Sequence, residues 1–575
     1  MNAYRASLLW FAPRSEGVAR ALYEQDGLLV VGPDAQGRQV VQAIGAYGTV
    51  SKQYPQVPVQ HFPGRIIAPG FIDLHIHYPQ IDVIGSPASG LLPWLENYTF
   101  PEENRFSAPG HSAQAATFFI AELLRNGVTT ALTFATSHPE SVNALFTEAQ
   151  ARCMRLITGL VLMDRHAPDY LVNQGQGGVS GTEQSLRDTE SLIQRWHGVD
   201  RLGYAITPRF AITSTPQQME MAQALVRAHP DCYVQTHLSE NHDEIAFTRS
   251  LYPQARDYLD VYQSYGLLGP KSLLGHAIHL TPREVDALAD TGSHPVFCPT
   301  SNLFLGSGLF DDAGLRARGI GNAIATDIGA GTSYSMLQTL NEGYKVLQLQ
   351  GQSLHPLRAF HWITRGNAVT LGLDDKIGTL AVGSEADIVV LALGIRPNIS
   401  LAQQSGLTVK QGIIVNRQLQ SSDSAIYALG ECIELNGETF GLVAPINAQA
   451  IQLAQTLCGK AASYCSENTA TQLKISGIAL SSCGDIATLC DNPSSFDAYT
   501  DYLDSELNEY RRLWWRGPYL AGAVLYGDTR LSQQLSQLIT QQQPYYGCRS
   551  SLLLGLADSA AAEPAAESQS QQDAA

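Results

Sequence analysis

The chain has little charge and no excess of basic residues, and these shortages exclude two kinds of partner. Only 15% of its 575 residues are charged, and 53 acidic residues against 36 basic ones give a formal net charge of −17. Nucleic acids and anionic membranes attract basic surfaces, so we expect neither as a partner. No apolar stretch is long enough to span a bilayer, and the first residues contain no apolar run of the signal-peptide type.

Clustered cysteines and a dinucleotide-binding glycine pattern are also missing. The nine cysteines are scattered and contain no C-x-x-C pair, which fits a reducing cytosol, so we expect a cytoplasmic protein. No G-x-G-x-x-G sequence occurs; GQGG at 175–178 lies in a polar stretch, and GIGN at 319–322 runs into an apolar one. Because FAD and NAD(P)H normally place their phosphates at such a turn, we expect neither cofactor to bind.

Between about residues 69 and 365, short apolar runs alternate with longer amphipathic stretches. Segments 113–126 and 215–229 have the helical pattern. Repeated strand–helix units over this length predict an α/β protein with a (β/α)₈ barrel of the TIM type. The runs with a strand pattern are Val128–Phe134, Leu156–Leu162, Gly203–Thr207, Cys232–His237, Ser272–His276, Val296–Cys298 and Asn322–Asp327.

The segments outside the barrel differ from it in composition and in the spacing of their apolar residues. Residues 1–68 and 366–392 contain short strands separated by turn residues, and we expect them to form a small composite β-sandwich beside the barrel at 69–365. Residues 393–556 form a separate segment of α+β type. The last residues, 557–575, are mostly Ala, Ser, Glu and Gln and are expected to be a disordered tail.

Residues of metal-ligand type stand at the ends of several predicted strands. His75 and His77 alternate along one strand, PGFIDLHIH, and therefore point to the same face. His237, His276 and Asp327 each end another apolar run. Strand ends of a barrel converge on one site, so this set predicts a bound divalent metal, although any one of these residues alone would more often be structural.

Over about residues 1–390 the chain resembles the guanine deaminase family of the amidohydrolase superfamily. H-x-H marks only the superfamily, whereas WLENYTFPEENRF and TPRF are specific to guanine deaminases. The segments that carry the resemblance, in family order, are PGFIDLHIHYPQ, LLPWLENYTFPEENRF, ITPRF, THLSENHDEI, CPTSNLFLGSG and TDIGAGTSYSML.

The resemblance implies zinc-dependent hydrolytic deamination of guanine to xanthine and ammonia, and a homodimer. No lysine at a strand end is placed for a carbamate bridge, so one Zn²⁺ per chain is expected rather than two metals. The implied metal ligands are His75, His77, His237 and Asp327. The implied catalytic residues are Glu240, His276 and Asp327. The implied substrate-binding residues are Gln80, Arg209, Phe210 and His237.

Some of these residues also have simpler readings. Glu240 lies between the cap-type residues Ser239 and Asn241 and could be a solvated carboxylate at a helix start. Without the family, Arg209 would be a surface charge and Phe210 a core residue. Trp94 and Phe100 could wall the pocket, but large aromatic residues are more often part of the core.

Residues 388–448 resemble flavin-dependent pyridine-nucleotide disulfide reductases, in particular the reductase part of the nitrite reductase large subunit. GIRPN, IYALGEC and GLVAP carry this resemblance, and Glu431 corresponds to an acidic residue near the FAD ribityl chain. The phosphate-binding parts are missing, so we interpret the segment as incomplete. A gene fusion or a hybrid reading frame would explain the junction, where Gly412–Val415 could replace a lost strand of the sandwich.

Three alternative functions remain open. Another amidohydrolase could deaminate a different amino-heterocycle such as a pterin. A flavoprotein reductase could use the N-terminal part as a scaffold, or the fusion could be an inactive binding protein.

Overall fold

A computed structural model describes residues 1–555 except 13–19, 174, 176–178, 393–396, 442, 461, 465–470, 476–477 and 508. The chain divides into two compact units, Met1–Leu393 and Gly394–Ala575. The predicted tail, most of GQGG and the start of GIRPN lie outside the described residues. Among the residues described, no helix is both long and apolar enough to cross a bilayer.

The first unit combines a barrel with a smaller sheet. Its strands are β1 (Asn2–Phe11), β2 (Ala21–Pro33), β3 (Gln39–Ala46), β4 (Val59–Pro69), β5 (Phe71–His77), β6 (Val128–Phe134), β7 (Arg155–Gly159), β8 (Val161–Leu162), β9 (Leu202–Pro208), β10 (Tyr233–Leu238), β11 (Ser272–His276), β12 (His294–Phe297), β13 (Ala323–Ile324) and β14 (Ile388–Ala392).

Helices separate most of these strands. They are α1 (Tyr47–Gln53), α2 (Leu91–Trp94), α3 (Phe100–Asn104), α4 (Pro109–Arg125), α5 (Pro139–Ala151), α6 (Gly181–Trp196), α7 (Pro216–Ala228), α8 (His242–Leu251), α9 (Tyr258–Ser264), α10 (Pro282–Thr291), α11 (Pro299–Phe304), α12 (Asp312–Ala317), α13 (Met336–Leu349), α14 (Pro356–His361) and α15 (Asn367–Thr370). Single π-helical turns occur at Leu95–Thr99 and Trp362–Gly366.

Parallel strands form the barrel in the order β5-β6-β7-β9-β10-β11-β12-β13, and β8 adds a short pair with β9. The ring closes through the backbone: Asp327 N donates to His75 O at 2.9 Å, and His77 N donates to Ile328 O at 2.6 Å. Apolar residues of the helices, such as Phe119 and Leu225, pack on buried strand residues such as Val128. The predicted (β/α)₈ class is confirmed.

Strands occur at all seven predicted positions, but five of the seven have different bounds, and Leu156–Leu162 is divided between β7 and β8. Val128–Phe134 and Ser272–His276 have the predicted bounds. Asn322–Asp327 is paired only at Ala323–Ile324, so the prediction that a strand ends at Asp327 is wrong. The chain turns away from β12 there, because Asp327 has a φ of +54° and bonds to β5 instead. The predicted helices occur as α4 and α7.

Segments from both ends of the first unit share the smaller sheet. Its order is β14-β4-β1-β2-β3, and β14 pairs antiparallel with β4 from Ile388 opposite Pro69 to Ala392 opposite Arg65. Buried residues of β1, β2 and β4, including Leu8, Leu29 and Ile67, form its core. This sheet leads directly into β5 and so fixes the start of the strand that carries the H-x-H pair.

The second unit contains two sheets. Its strands are β15 (Ile413–Ile414), β16 (Ile433–Leu435), β17 (Glu438–Thr439), β18 (Thr471–Ile475), β19 (Ile478–Gly484), β20 (Ala498–Asp504), β21 (Glu509–Arg516) and β22 (Tyr519–Tyr526). Its helices are α16 (Ser400–Gln404), α17 (Val443–Leu457), α18 (Ile486–Asp491), α19 (Ser532–Thr540) and α20 (Arg549–Leu554).

Five antiparallel strands, β18-β19-β22-β21-β20, form the larger sheet of this unit. Leu513, Trp515 and Leu525 of that sheet pack with Leu535 of α19 and Leu552 of α20. The proposal that Gly412–Val415 replaces a sandwich strand is wrong. Ile413 and Ile414 instead pair in parallel with β16, inside the second unit.

Candidate active site

The candidate residues meet at the C-terminal ends of the barrel strands. His75 and His77 belong to β5, whose seven residues are all buried, His237 belongs to β10, and His276 is the last residue of β11. His276 and Asp327 have φ values of +66° and +54°. Such backbone is uncommon for residues other than glycine and concentrates at functional sites, where surrounding structure holds it in place.

Imidazole nitrogens and one carboxylate converge on a single point. Nε2 of His75 and Nε2 of His77 lie 3.4 Å and 3.3 Å from Oδ1 of Asp327, and Nε2 of His77 lies 3.3 Å from Nε2 of His237. Nε2 of His75 is buried without a hydrogen-bond partner among the described residues. Three nitrogens and a carboxylate oxygen form a donor set that fits Zn²⁺.

The protonation of these histidines suits metal binding. Nδ1 of His237 donates to the carbonyl oxygen of Arg209 at 2.7 Å, which leaves Nε2 as the ligand atom. Burial, followed by the neighbouring imidazoles, lowers the pKa of His75 and of His237 well below 6.5. Both rings are therefore neutral at neutral pH, which is the form that a metal requires.

Cys298 lies beside this cluster and was not predicted. Its sulfur lies within 4.8 Å of possible ligand atoms of His75, His276 and Asp327. Burial, and then the charge of Asp327, raises the pKa of the Cys298 thiol well above 9, and Sγ donates to Val296 O at 3.6 Å. The imidazoles of His75, His77 and His237 and the carboxylate of Asp327 already make up four donors without this sulfur.

His276 packs against His75 and His237, with ring centroids 5.3 Å and 5.6 Å apart, and it also lies between two carboxylates. Its Nε2 lies 3.3 Å from Oε2 of Glu240 and 3.7 Å from Oδ2 of Asp327, while Nδ1 contacts Oδ1 of Asn302 at 2.9 Å. Burial works to lower the pKa of His276, but the two carboxylates raise it overall. A positively charged imidazole at this position can stabilise negative charge in the pocket.

Glu240 is buried rather than solvated, so its reading as a solvated carboxylate at a helix start is wrong. Asn241 and Glu244 cap helix α8 with a capping box. Ser307 Oγ donates to Oε1 of Glu240 at 2.8 Å, and burial raises the pKa of Glu240 to about 7. Such a carboxyl both accepts and donates protons near neutral pH. Ser307 was not predicted, because a serine between glycines gives no sequence signal.

The remaining predicted residues line a cavity next to the histidines. Arg209 and Phe210 follow the end of β9, and Trp94 also contributes to the wall, whereas Phe100 packs against the Arg209 guanidinium with 5.4 Å from ring centroid to Cζ. Side chains on the wall are His77, Gln80, Leu91, Trp94, Leu95, Arg209, Phe210, His237, Glu240, His276, Ser301, Leu305, Asp327 and Ala330.

Glu103 is a third residue that was not predicted from the sequence. Its carboxylate is fully buried and accepts from Nη1 of Arg209 at 2.7 Å and 2.9 Å, and from Nε2 of Gln80 at 3.1 Å. Oε1 of Gln80 accepts from Gly329 N at 3.2 Å. The only signal in the sequence is a pair of adjacent glutamates, of which the other, Glu102, contacts the half-exposed Arg105.

Comparisons with known proteins identify the family of the first unit. Residues 66–431 match the family model described as "Amidohydrolase family". The chain is 46% identical to guanine deaminase of Escherichia coli over 414 residues, which are 72% of this chain and 91% of that protein. It is 34% identical to a probable guanine deaminase of Deinococcus radiodurans, over 75% of this chain and 95% of that one.

Solved structures of guanine deaminases are also similar to this chain. The structure of the E. coli guanine deaminase matches with a TM-score of 0.65 and 45% identity, over 71% of this chain and 93% of that chain. A guanine deaminase from C. acetobutylicum, described with guanine bound in its active site, matches with a TM-score of 0.61 and 29% identity, over 70% and 92% of the two chains.

The C-terminal part matches a different family. Residues 470–543 match the model described as "Rubredoxin NAD+ reductase C-terminal domain". This confirms the reductase-like character of the segment and the interpretation of the chain as a fusion. The match covers the antiparallel sheet β18–β22 and all of α19.

Proposed function

The chain belongs to the amidohydrolase family and, within it, to the guanine deaminases, and from this premise we propose that it hydrolyses guanine to xanthine and ammonia. The observation that carries the proposal is one pocket whose wall contains His77, His237 and Asp327 of the donor set together with Glu240 and Arg209, with Nε2 of His75 3.4 Å from Oδ1 of Asp327. In the reaction, a bond forms between water oxygen and the ring carbon, and the bond from that carbon to the exocyclic amine breaks.

We propose that His75, His77, His237 and Asp327 hold one Zn²⁺ per chain. When bound, the ion would lower the pKa of water to about 7 and so supply a nucleophile at neutral pH. The absence of a hydrogen-bond partner for the buried Nε2 of His75 among the described residues supports this assignment.

Glu240 moves the protons in this proposal. Because Ser307 occupies Oε1, the free oxygen is Oε2, which faces His276. Oε2 takes a proton from the attacking water and delivers it to the ring nitrogen. It then moves a second proton, from the hydroxyl now bonded to the ring carbon, to the departing amine, which leaves as ammonia while that oxygen becomes the carbonyl of xanthine. A pKa of about 7 for Glu240 allows both steps near neutral pH. His276, whose Nε2 lies beside Glu240 and Asp327, can stabilise the negative charge on the attacking oxygen as the tetrahedral centre forms.

Arg209, Gln80 and Phe210 orient the base. Arg209 can only donate hydrogen bonds, and guanine offers a carbonyl oxygen and ring nitrogens that accept them. The Phe210 ring lies 6.4 Å from that of His237, at a steep angle of 72°, where its face can pack on the planar purine. We propose that these residues hold the amine-bearing carbon against the donor set.

The direct test uses the full-length protein with guanine, adenine and a pterin as parallel substrates. We expect one xanthine and one ammonia for each guanine consumed, with zinc at one ion per chain. Faster turnover of the pterin would favour the alternative amidohydrolase, and no turnover of any of the three bases by zinc-loaded protein would contradict the deaminase.

Three further expectations complete the proposal. A cytoplasmic location is supported by free cysteines at every cysteine position that the structure describes. A homodimer rests on family resemblance alone and is tested by light scattering. We also propose that the reductase-like segment binds neither FAD nor NAD, since the sequence lacks the glycine-rich turn that holds their phosphates.

A further inference from the structure

Helix α3 supplies two side chains that enclose the Arg209 guanidinium. Phe100 and Glu103 are three residues apart and therefore lie on the same side of the helix. Phe100 packs on the face of the guanidinium, and Glu103 binds its edge through Nη1. Arg209 is only 3% exposed, and a buried charge of this kind is tolerated only when it is paired.

Glu103 also fixes the orientation of Gln80. The Gln80 amide nitrogen donates to Glu103, and its oxygen accepts from the Gly329 backbone. A flipped amide would place oxygen against carboxylate and NH₂ against N–H, so only one orientation satisfies both partners. The second N–H of Gln80, like the remaining donors of Arg209, is then available to a bound base.

We propose that Glu103 determines the preference of this pocket for a carbonyl-bearing purine over its amino analogue. It orders Arg209 and Gln80 into one wall of hydrogen-bond donors. A carbonyl oxygen pairs with that wall, whereas an amino group at the same ring position brings a donor against donors. Glu103 is a positioning residue here, because it acts through Arg209 and Gln80. This inference rests on the proposed guanine deaminase activity and adds the origin of its selectivity.

The decisive substrate pair is guanine and 2,6-diaminopurine. Both carry the same amine at the reacting carbon, and they differ in having a carbonyl or an amine at the other position. In Glu103→Gln, one amide oxygen must serve two donor residues, and the NH₂ group faces one of them. We expect the preference for guanine, measured as the ratio of kcat/KM values, to fall by about tenfold or more, mostly through KM for guanine.

Glu102→Gln is the matched control, since Glu102 is the adjacent residue and pairs with the half-exposed Arg105. It should leave the ratio unchanged. Glu103→Asp keeps the charge and should recover part of the preference; it also provides the test if Glu103→Gln does not fold. Zinc content and circular dichroism verify that each variant is intact.

The outcomes separate this inference from the activity on which it rests. An unchanged substrate ratio in a folded, zinc-loaded Glu103→Gln protein would overturn the role of Glu103, and so would an equal effect of Glu102→Gln. An equal loss of kcat with both substrates at constant KM would show a merely structural role and also overturn it. Wild-type protein that does not convert guanine would instead refute the deaminase itself.

Discussion

The backbone N–H of Asp327 donates a hydrogen bond of 2.9 Å to the carbonyl oxygen of His75. These two residues come from the first barrel strand and from the segment after the last one, so the contact that closes the barrel also joins two of the proposed metal ligands. Their side chains approach to 3.4 Å at Nε2 and Oδ1. The geometry of the donor set therefore depends on closure of the ring.

Loss of either ligand should remove the metal and the activity together. We expect His75→Ala and Asp327→Ala to reduce bound zinc from one ion per chain to nearly none, because the remaining donors cannot complete a four-coordinate site. Elemental analysis of purified protein and xanthine formation are measured on the same samples. Cys298→Ser is the control and should keep both, since the three histidines and Asp327 already supply four donors; a zinc loss there would make Cys298 a ligand.

The sequence was sufficient for the strand-borne part of the site. H-x-H on a buried strand and a histidine or aspartate after later apolar runs predict convergence, because parallel strands of a barrel end on one face. His75, His77, His237, His276 and Asp327 do meet there. The exact position of Asp327, beyond rather than within a strand, depends on its left-handed backbone, which no local pattern reveals.

The supporting residues could not be predicted in the same way. Glu103 and Ser307 act through contacts between segments 67 to 106 residues apart in the chain. In the sequence, Glu103 belongs to a Glu-Glu pair and Ser307 is a serine between two glycines. Both local patterns are equally typical of solvent-exposed residues. Their roles follow only from burial and from the partners that the fold brings to them.

Glu240 should be required for chemistry and not for metal binding. Glu240→Gln keeps the size of the side chain and the acceptor for Ser307, but it cannot carry a proton between water and the leaving amine. We expect turnover of guanine to fall by about 10²–10⁴-fold, with zinc unchanged and KM altered little. Steady-state kinetics with zinc analysis test this, and full activity would remove Glu240 from the proposed mechanism.

Ser307 should act on the rate through Glu240. In Ser307→Ala, Oε1 loses the 2.8 Å hydrogen bond that orients the carboxyl group, so Oε2 samples positions away from the pocket. We expect kcat to fall by about tenfold, with KM for guanine nearly constant. Ser333→Ala is the control, because it removes only a hydroxyl oxygen that accepts a hydrogen bond from the Ser335 backbone N–H. A rise in KM without change in kcat would place Ser307 in substrate binding instead.

The reductase-like unit should purify without flavin. FAD needs a glycine-rich turn at a helix N-terminus for its pyrophosphate, and the sequence contains no G-x-G-x-x-G. We expect the visible absorption spectrum of the full-length protein to lack flavin bands, and a heat-denatured sample to release no flavin fluorescence. Addition of FAD should not raise the melting temperature. Stoichiometric FAD in the purified protein would contradict this expectation.

Replacing only one residue of the Arg209–Glu103 pair should lower the free energy of unfolding substantially. Both side chains are at least 97% buried, with 3% exposure for Arg209 and none for Glu103, so Arg209→Met leaves an unpaired buried carboxylate and should destabilise the barrel by about 3–5 kcal/mol. The double variant Arg209→Met/Glu103→Leu removes both charges and should recover much of that loss. The melting temperatures of the zinc-loaded proteins measure this, and the double variant should lie between Arg209→Met and the wild type.

Arg105→Met breaks the neighbouring pair with Glu102, in which the arginine is 50% exposed, and serves as the control. Exposed pairs contribute about 0–1 kcal/mol, so its melting temperature should stay close to that of the wild type. A double variant less stable than Arg209→Met would mean that Arg209 and Glu103 stabilise the fold through packing rather than through their charges. That result would also weaken the argument that Glu103 holds Arg209 in place for the base.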